Sequence, residues 1–321
     1  MSKALITPSI GSEIKGGVET FSEYLRRVFP DLVVIDYKSA SSNNSLRSKI
    51  SLPYLEDQRW GVVIAKEFLR LHRENPFELV ICNGPYGWSL TGINLDIPMI
   101  NIFHGTWVGV NQSLFPDTEE IFSAELSIKI GGLYGRGIFE KISGLRKHCI
   151  AVSPLVKDEL KRYYGFESEV ILNCIDTDFF RPMDKEECRE RLNLPKNKKI
   201  GFFPSGTGFG KGFDIILELV KIHKDIIFIL VGGKEGENVI GISRIPFRDM
   251  PIYYNASDFV IVPSRYEGFG LAPLEVLACN IPVITSKSGI FYDDQYNDLA
   301  KVVPTSNWKD YSQAIEEIID R

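Results

Sequence analysis

The sequence predicts an α/β protein made of two doubly wound parallel-sheet domains. Short β-branched runs alternate with amphipathic segments of helical length along the whole chain, which is typical of parallel strands joined by crossover helices. The chain has 321 residues, a length better suited to two hydrophobic cores than to one. In each half, a glycine-containing turn also joins a strand to a helix, as at the phosphate-binding edges of such sheets.

The first predicted domain covers residues 1–168. Its strands are short apolar runs at Lys3–Thr7, Leu32–Asp36, Glu78–Cys82, Pro98–Phe103 and Cys149–Val152. Its helices are amphipathic segments at Val18–Val28, Trp60–Arg73 and Leu155–Tyr164. The stretch Ser39–Ser51 is rich in Ser and Asn and predicts a loop.

The second predicted domain covers residues 169–306, and the strand Glu169–Leu172 at its start continues the alternating series of the first half. The charged, proline-containing segment Asp176–Pro195 shows no strand period and predicts a hinge or linker. Further elements follow as strands at Lys199–Pro204, Ile226–Val231, Phe259–Pro263 and Pro282–Thr285, and as helices at Phe213–His223 and Ala272–Cys279. The amphipathic segment 307–321 is expected to pack back on the first domain as a closing helix.

Composition excludes several classes of protein. The formal net charge of −5 argues against a broad nucleic-acid surface, because binding to phosphates requires clustered Lys and Arg. No apolar run is long enough for a membrane-spanning helix, and the strand beginning at Lys3 leaves no room for a signal peptide. The five cysteines form no C-x-x-C pair. We therefore expect a cytoplasmic protein with reduced cysteines.

The segment Val262–Glu275 runs from an apolar strand into a helix, which is where ligands bind in a doubly wound sheet. Gly268 and Gly270 allow backbone N–H groups to converge with the helix N-terminus on a pyrophosphate. Glu275, one turn into the helix, is placed to accept hydrogen bonds from ribose hydroxyls, and Glu267 from sugar hydroxyls. Two glutamates could also be exposed acids beside an ordinary turn, but strand, glycines and helix together favour a nucleotide-sugar site.

This segment resembles the paired-glutamate signature of retaining GT-B glycosyltransferases, and its surroundings are similar to glycosyltransferase family 4. Further similarity lies in Gly16-Gly17-Val18-Glu19, Phe103-His104-Gly105, Val152-Ser153, Leu172-Asn173 and Phe180-Arg181-Pro182. The resemblance implies two Rossmann-like domains that face each other across a cleft, with the donor nucleotide on the C-terminal domain and the acceptor on the N-terminal domain. It also implies transfer with retention at the anomeric carbon.

The resemblance gives a set of expected site residues. His104, Lys211 and Glu267 are the expected catalytic residues. Donor contacts are expected from Gly16, Gly17, Ser205, Gly206, Lys211, Arg244, Ile245, Glu267, Gly268, Phe269, Gly270, Leu271 and Glu275. The family also has an arginine near Ser205 or Gly206, which this sequence lacks. Glycine backbone N–H groups, Arg265 or Arg244 are candidates to replace it.

Lys211 lies between a strand and a helix, where a cation offsets the charge on a departing nucleoside diphosphate as a divalent metal does elsewhere. The loop Ser205–Gly210 before it fits neither a P-loop nor the dinucleotide-binding glycine pattern. His104 ends a predicted strand, where a histidine can bind the donor sugar or stabilise charge, although a lone histidine is more often structural. The turn at Gly16 and Gly17 admits phosphates close to backbone, or is a plain loop.

Aromatic residues at strand ends of the first domain are the candidates for acceptor binding, with core packing as an equal alternative: Tyr86, Trp88 and Trp107. Asp176-Thr-Asp178 resembles a D-x-D metal motif, but its position favours a turn, so neither a metal nor a cofactor is expected. A group of basic residues fits contact with an anionic membrane or, more simply, a solvated helix face: Lys129, Arg136, Lys141, Arg146 and Lys147.

The sequence thus predicts a retaining, metal-independent glycosyltransferase that moves a hexosyl group from a UDP- or GDP-sugar to a hydroxyl group. The acceptor is a glycan, a lipid or lipid-linked molecule, or a small molecule, and no nucleic acid partner is expected. The alternatives are a non-catalytic nucleotide-sugar-binding protein, motivated by the missing arginine, and a sugar-nucleotide epimerase or phosphorylase of the same fold. The sequence indicates no particular oligomeric state.

Overall fold

The computed structural model describes residues 2–7, 17–36, 39–40, 56–114 and 136–320. The chain divides into two compact units, Met1–Leu172 and Asn173–Arg321. The predicted boundary at residue 168 was therefore slightly early. The reason is that the short strand Glu169–Val170 pairs with His148–Ala151 of the first sheet, so residues 169–172 belong to the first unit.

The first unit contains a six-stranded parallel sheet in the order β2-β1-β3-β4-β5-β6. Its strands are β1 (Lys3–Ile6), β2 (Leu32–Ile35), β3 (Leu79–Asn83), β4 (Met99–Phe103), β5 (His148–Ala151) and β6 (Glu169–Val170). Its helices are α1 (Gly17–Val28), α2 (Glu56–Glu74), α3 (Trp107–Leu114), α4 (Arg136–Gly144) and α5 (Pro154–Glu159), which a π-turn continues through Tyr164. The predicted α/β class is confirmed for this unit.

Local sequence explains how a typical helix of this unit begins and ends. Ser153 follows β5, and its side chain accepts a hydrogen bond from the N–H of Val156 at 3.2 Å, while Pro154 fills the first helical position. An N-cap serine followed by proline satisfies one free N–H and requires none from the proline. The helix ends at Gly165, whose φ of 75° is the left-handed conformation of a helix C-cap.

The second unit also contains a six-stranded parallel sheet, in the order β12-β11-β10-β7-β8-β9. Its strands are β7 (Lys199–Phe203), β8 (Ile226–Val231), β9 (Val239–Ile242), β10 (Phe259–Val262), β11 (Val283–Ser286) and β12 (Lys301–Val303). Its helices are α6 (Lys185–Arg191), α7 (Phe213–Ile222), α8 (Met250–Ala256), α9 (Leu271–Ala278) and α10 (Trp308–Ile319). This strand order is that of the dinucleotide-binding Rossmann sheet.

Helices cover both faces of the second sheet, which explains why its central strands are continuously apolar. Phe202 and Phe203 are neighbours in β7 and point to opposite faces, where each is buried in a different hydrophobic cluster. The Phe203 cluster includes apolar residues of α7, and the Phe202 cluster includes Tyr254 of α8 and Val276 of α9.

Two segments of the second unit differ from their expected description. The buried face of α10, with Tyr311 and Ile315, lies in the Phe203 cluster of the second unit, and the expected packing of residues 307–321 on the first domain stays a prediction. The predicted linker Asp176–Pro195 contains α6, because Cys188 and Leu194 supply the apolar contacts of a short helix that packs on the same unit. An amphipathic pattern marks a buried face but not the partner that covers it.

Other differences concern short elements. The sequence did not predict the edge strands β9 and β12, and the helices α3, α4 and α8 were also missed. The predicted loop Ser39–Ser51 lies outside the described residues except for its first two positions. Among the described helices, none has the length and apolar character needed to cross a bilayer.

Each sheet has a switch point, where the strand order reverses and the loops after two neighbouring strands diverge to opposite faces. In the first sheet this point lies between β1 and β3, and in the second between β7 and β10. Ligands of open α/β sheets bind at the carboxyl ends of the strands at such points. Ligand-binding residues are therefore expected directly after these four strands.

Candidate functional site

At the switch point of the second unit, the loops after β7 and β10 bring together two residues that lie far apart in sequence. The Nζ atom of Lys211 donates a hydrogen bond to the Oε1 atom of Glu267 at 2.7 Å. Both side chains remain accessible, with 43% of Lys211 and 22% of Glu267 exposed. The structure therefore places two of the three expected catalytic residues in direct contact at an accessible sheet edge.

The glycine turn after Glu267 has the backbone geometry of a helix entrance. Gly270 precedes the first residue of α9 and has a φ of 89°, which a residue with a side chain rarely adopts. Phe269 is buried, and its carbonyl oxygen accepts a hydrogen bond from the N–H of Ile290 at 2.9 Å. The helix α9 begins at Leu271, directly after this turn, so its free N–H groups lie within a few residues of Glu267 in the chain.

The loop after β11 supports this turn, a role that the sequence did not predict. Ser288 accepts a hydrogen bond from the N–H of Glu267 through its Oγ atom at 2.7 Å. A Cβ atom at Gly289 would lie 2.2 Å from the carbonyl oxygen of Phe269, so only glycine allows this approach. The signal available in the sequence was a Ser-Gly pair just after a predicted strand, but nothing there showed which loop it contacts.

Glu275 is nearly buried, with 8% of the residue exposed, whereas the sequence predicts a carboxylate that points toward a ligand cleft. The hydroxyl of Tyr254 donates a hydrogen bond to its Oε2 atom at 2.8 Å. Burial raises the pKa of Glu275 to about 7, and the bond from Tyr254 opposes this rise. The carboxylate therefore has one internal partner and changes charge near neutral pH.

Two of the candidates to replace the missing arginine, Arg265 and Arg244, differ in where the structure places them. Arg265 lies close to this loop, but its guanidinium forms a bidentate pair with Asp214 and donates to the carbonyl oxygen of Phe209 at 2.6 Å. Arg244 is exposed after β9, and Ile245 packs against the Phe202 cluster. Lys211 is thus the cation that the structure places beside Glu267.

At the switch point of the first unit, three buried polar side chains and the half-buried His104 form a hydrogen-bond network. Asn83, at the end of β3, donates from Nδ2 to Thr7 Oγ1 at 3.1 Å and to Ser22 Oγ at 3.0 Å. Its Oδ1 atom lies 3.3 Å from Nε2 of His104, which follows β4. Ser22 in turn donates to the carbonyl oxygen of Val18 at 2.8 Å.

The protons of this network fix the tautomer of His104. The single hydroxyl proton of Ser22 goes to Val18, so its oxygen accepts from both Thr7 and Asn83. The Asn83 atom facing Ser22 must then be the amide nitrogen, and its oxygen faces His104. The imidazole therefore carries its proton on Nε2, by assignment from hydrogen bonding, and Nδ1 has the lone pair.

The environment of His104 keeps its ring neutral. Loss of hydration lowers the pKa of the imidazole to about 4, and the ring of Phe21 packs edge-on against it with 4.9 Å between centroids. At neutral pH the ring is thus uncharged. Such a histidine can accept a hydrogen bond through Nδ1 but does not supply a positive charge.

Two buried glutamates hold the segment that follows His104. Glu140 of α4 accepts hydrogen bonds from the backbone N–H of Trp107 at 2.9 Å and from the hydroxyl of Tyr164. Glu159 of α5 accepts from the hydroxyl of Thr106 at 2.8 Å. Burial is the main reason that the pKa of Glu140 rises to about 7. Neither glutamate was singled out in the sequence, because their burial arises only when α4 and α5 pack beside this segment.

Two of the aromatic residues considered for acceptor binding, Trp88 and Tyr86, have packing contacts within the first unit. Trp88 packs against Phe139 with 4.7 Å between rings, and a Cβ atom at Gly61 would lie 2.1 Å from its indole nitrogen. Tyr86 packs against the core beneath β1 and β3. Of the alternatives that the sequence left open, the structure favours core packing for Trp88.

Some expected site residues are placed elsewhere or not described. Gly16 and Lys129 lie outside the described residues, and Gly17 begins α1. Asp176 accepts a hydrogen bond from the N–H of Phe179 at 3.1 Å, as expected for a turn. Within the described ranges, His, Cys, Asp and Glu side chains form no cluster of three that could hold a metal ion.

The chain is similar to known glycosyltransferases. A D-inositol 3-phosphate glycosyltransferase from Streptomyces bingchenggensis is 26% identical over 285 residues, which is 77% of this chain and 60% of that protein. The chain therefore spans less than two thirds of that relative's length.

Solved structures show the same fold. Sucrose-phosphate synthase from Thermosynechococcus elongatus superposes with a TM-score of 0.76 at 20% identity, over 99% of this chain and 90% of that one. HepE from Anabaena, in complex with UDP and glucose, has a TM-score of 0.66 at 16% identity, over 100% of this chain and 90% of that one. These neighbours identify the fold of the two units as GT-B.

Two family profiles match the chain. The profile described as glycosyl transferases group 1 matches residues 184–321, which include Lys211, Glu267 and Glu275. The profile described as glycosyltransferase family 4 matches residues 15–179, slightly more than half of the chain. The chain belongs to glycosyltransferase family 4.

Proposed function

We propose that this chain is a retaining, metal-independent glycosyltransferase that moves a hexosyl group from a UDP- or GDP-sugar to a hydroxyl group of a glycan, lipid or small-molecule acceptor. The observation that carries the proposal is the contact between Lys211 and Glu267 at the switch point of the second unit. A cation and a hydrogen-bond acceptor at this edge match the two ends of a sugar diphosphate.

The relatives support the substrate class. The Streptomyces relative is named for transfer to an inositol phosphate, and the Thermosynechococcus neighbour is named for synthesis of sucrose phosphate. The Anabaena neighbour holds UDP and glucose. A UDP-hexose donor and a hydroxyl acceptor fit these names, while the base, the sugar and the acceptor of this chain are part of the proposal.

In the proposed reaction, the bond between the anomeric carbon and the diphosphate oxygen breaks, and an acceptor oxygen forms a bond to the same face of that carbon. Lys211 and the N–H groups at the start of α9 stabilise the negative charge on the departing diphosphate. A diphosphate oxygen takes the proton of the acceptor hydroxyl. Glu267 accepts hydrogen bonds from the sugar and releases Lys211 as the diphosphate enters.

His104 has a limited role in this reaction. Its neutral ring with a lone pair on Nδ1 suits acceptance of a hydrogen bond from a sugar hydroxyl. A metal is not required, because Lys211 supplies the positive charge opposite the diphosphate.

A second candidate is a protein that binds a nucleotide sugar without transferring it. The engagement of Arg265 by Asp214 favours this candidate, since it leaves one fewer cation for the diphosphate. The two candidates differ in whether nucleoside diphosphate is released.

The test begins with thermal shifts in the presence of UDP-, GDP- and ADP-sugars, because a ligand that binds the folded state raises stability. The donor that binds is then used to measure release of nucleoside diphosphate with and without EDTA. Glu267→Gln should lower the rate of diphosphate release by about 10² or more. Glu218→Gln is the control and should leave the rate unchanged, because Glu218 forms an exposed ion pair with Lys221 on α7. Binding of the donor without release of nucleoside diphosphate, whichever acceptor is added, would support the non-catalytic alternative.

A further inference from the structure

Arg265 joins the two loops of the second switch point through both its backbone and its side chain. Its backbone N–H donates to the carbonyl oxygen of Gly210 at 2.8 Å. Its Nη1 atom donates to Phe209 and to Oδ1 of Asp214 at 2.8 Å, and its Nη2 atom donates to Oδ2 of Asp214 at 2.7 Å. The guanidinium also lies over the ring of Phe209, 3.7 Å from its centroid.

The residues that Arg265 contacts lie on both sides of Lys211 along the chain. Phe209 and Gly210 come just before Lys211, and Asp214 lies in the first turn of α7 just after it. Arg265 itself lies two residues before Glu267. The bidentate pair therefore fixes the segment that carries Lys211 against the segment that carries Glu267.

The state of the guanidinium argues against a direct contact with the diphosphate. Only 10% of the Arg265 side chain is exposed, and both hydrogens of Nη1 are used inside the protein. Asp214 compensates its charge. A planar fork that meets a carboxylate with two parallel hydrogen bonds has strong directional preference, which is what a positional constraint requires.

We propose that Arg265 and Asp214 form a positioning pair that sets Lys211 in register with Glu267 for the sugar diphosphate. This inference rests on the proposed function, because it gives the pair a purpose in the same reaction. Neither residue touches the substrate. The pair acts through Lys211, and its loss leaves the loop Ser205–Gly210 held to the segment after β10 mainly by the backbone hydrogen bond from Arg265 to Gly210, without the directional side-chain contacts.

The test compares Arg265→Gln, Arg265→Lys and Asp214→Asn with the wild type and with Arg189→Gln. Arg189 also pairs with an aspartate, Asp258, at 2.7 Å, but at the opposite end of β10, so it controls for general loosening of the unit. We expect each change at Arg265 or Asp214 to lower kcat by about tenfold or more, since small misplacements of positioning groups have large effects on rate. Arg265→Lys should not rescue, because lysine lacks the fork.

Asp214→Asn separates the two roles that Arg265 could have. If the guanidinium bound the diphosphate directly, removal of its internal partner would leave donor binding and kcat unchanged or improved, and the proposal would be overturned. If the pair acts by position, Asp214→Asn reduces kcat as Arg265→Gln does. Asp214 is half-exposed, so this variant is also the less disruptive of the two.

A double-mutant cycle tests whether the effect passes through Lys211. In a Lys211→Met background, Arg265→Gln should cause little further loss of kcat/KM, whereas Arg189→Gln should have the same small effect as in the wild type. Losses at Arg265 and Lys211 that multiply independently would contradict a positioning role.

Hydrogen–deuterium exchange provides a readout that requires no donor. Asp214→Asn should speed exchange in residues 209–214 and at the Arg265 amide, while Arg189→Gln should not. Unchanged exchange there would overturn the positioning pair even in an active enzyme. Conversely, a wild type that releases no diphosphate from any nucleotide sugar would defeat the proposed function, and the exchange result would still decide whether the pair holds the two loops.

Discussion

The two switch points share a position in a doubly wound sheet but use opposite physical means to hold their polar groups. In the first unit, Asn83, Thr7 and Ser22 are buried and neutral, and Asn83 orients an uncharged His104 through a hydrogen bond between neutral groups. In the second unit, Lys211 and Glu267 are charged and partly exposed. An unsatisfied member of a buried network destabilises the folded protein, whereas an exposed ion pair can exchange partners at a small cost in free energy.

The comparison suggests a division of tasks within the proposed reaction. A rigid neutral network suits recognition of hydroxyl groups, whose geometry is fixed and whose charge does not change. An exposed ion pair suits a diphosphate, because Lys211 can leave Glu267 for a stronger anionic partner at small cost. The first region should therefore respond to changes in hydrogen-bond geometry and the second to changes in charge and salt.

The largest effect is expected at the charged switch point. Lys211→Met should lower kcat/KM with the nucleotide-sugar donor by about 10² to 10³, because the charge of the departing diphosphate loses its cation. Steady-state kinetics at low and high salt would measure it. Lys221→Met is the matched control, since Lys221 pairs with Glu218 on the exposed face of α7 and should leave kinetics unchanged. Equal activity of the two variants would show that the charged contact is not used.

At the switch point of the first unit, Asn83→Asp should introduce a charge into a network that is otherwise neutral. A carboxylate 3.3 Å from Nε2 would favour the imidazolium, so the pKa of His104 should rise from about 4 by two units or more. We expect kcat/KM to fall by about ten- to a hundredfold at pH 7, equivalent to about 1.4–2.7 kcal/mol. The ¹⁵N shifts of the His104 ring would report both charge and tautomer.

The control for this change is Asn83→Gln at the same position and Asn94→Asp on a loop of the same unit. The wild-type spectrum should show the proton on Nε2 in a neutral ring. A wild-type ring protonated on Nδ1, or a pKa unaltered in Asn83→Asp, would show that the network does not determine the state of His104.

A third change concerns the buried acid next to the neutral region. The pKa of Glu140 is raised to about 7, so between about pH 4.5 and 7 the folded state binds more protons than the unfolded state. The free energy of unfolding should therefore fall as pH rises through this window. Glu140→Gln should remove that fall. The free energy of unfolding of the variant minus that of the wild type should therefore be about 2 kcal/mol larger at pH 8 than at pH 5.

Urea unfolding of both proteins at pH 5 and pH 8 would measure this difference. Glu23→Gln on α1 is the control for a glutamate that is not fully buried. A Glu140→Gln variant whose stability changed equally at both pH values would indicate that Glu140 is ionised in the folded protein throughout the range.

The sequence predicted the central parts of this molecule better than its edges and interior polar contacts. The strands β7 and β10 were predicted because continuous apolar runs signal burial on both faces. The contact of Lys211 with Glu267 follows from the switch point, since residues after two neighbouring strands meet there. Edge strands such as β12, with three residues, carry too little pattern to be recognised.

Other features depend on tertiary structure that no local pattern encodes. The sequence left open whether Arg265 serves the diphosphate, and its commitment to Asp214 appears only when the loop before α7 lies against the end of β10. Similarly, nothing in the spacing of Asn83 and His104 indicates that Ser22 of α1 determines which way the Asn83 amide points. Side-chain partners across 50 or more residues need the fold first.

The smallest effect is expected at the buried hydrogen bond between Tyr254 and Glu275 in the second unit. Tyr254→Phe removes the hydroxyl that donates to Glu275, which should cost about 1 kcal/mol of stability and raise the pKa of Glu275 above its present value of about 7. If an ionised Glu275 accepts from the donor's ribose, the pH at which the nucleotide binds half-maximally should move upward, so affinity falls at pH 7 and recovers by pH 9. Calorimetric titration with UDP or GDP from pH 6 to 9 would measure it, with Tyr253→Phe on the same helix as control. A binding profile identical to that of the wild type would mean that the charge of Glu275 is not coupled to the nucleotide, and that Tyr254 contributes only to packing of α8 against α9.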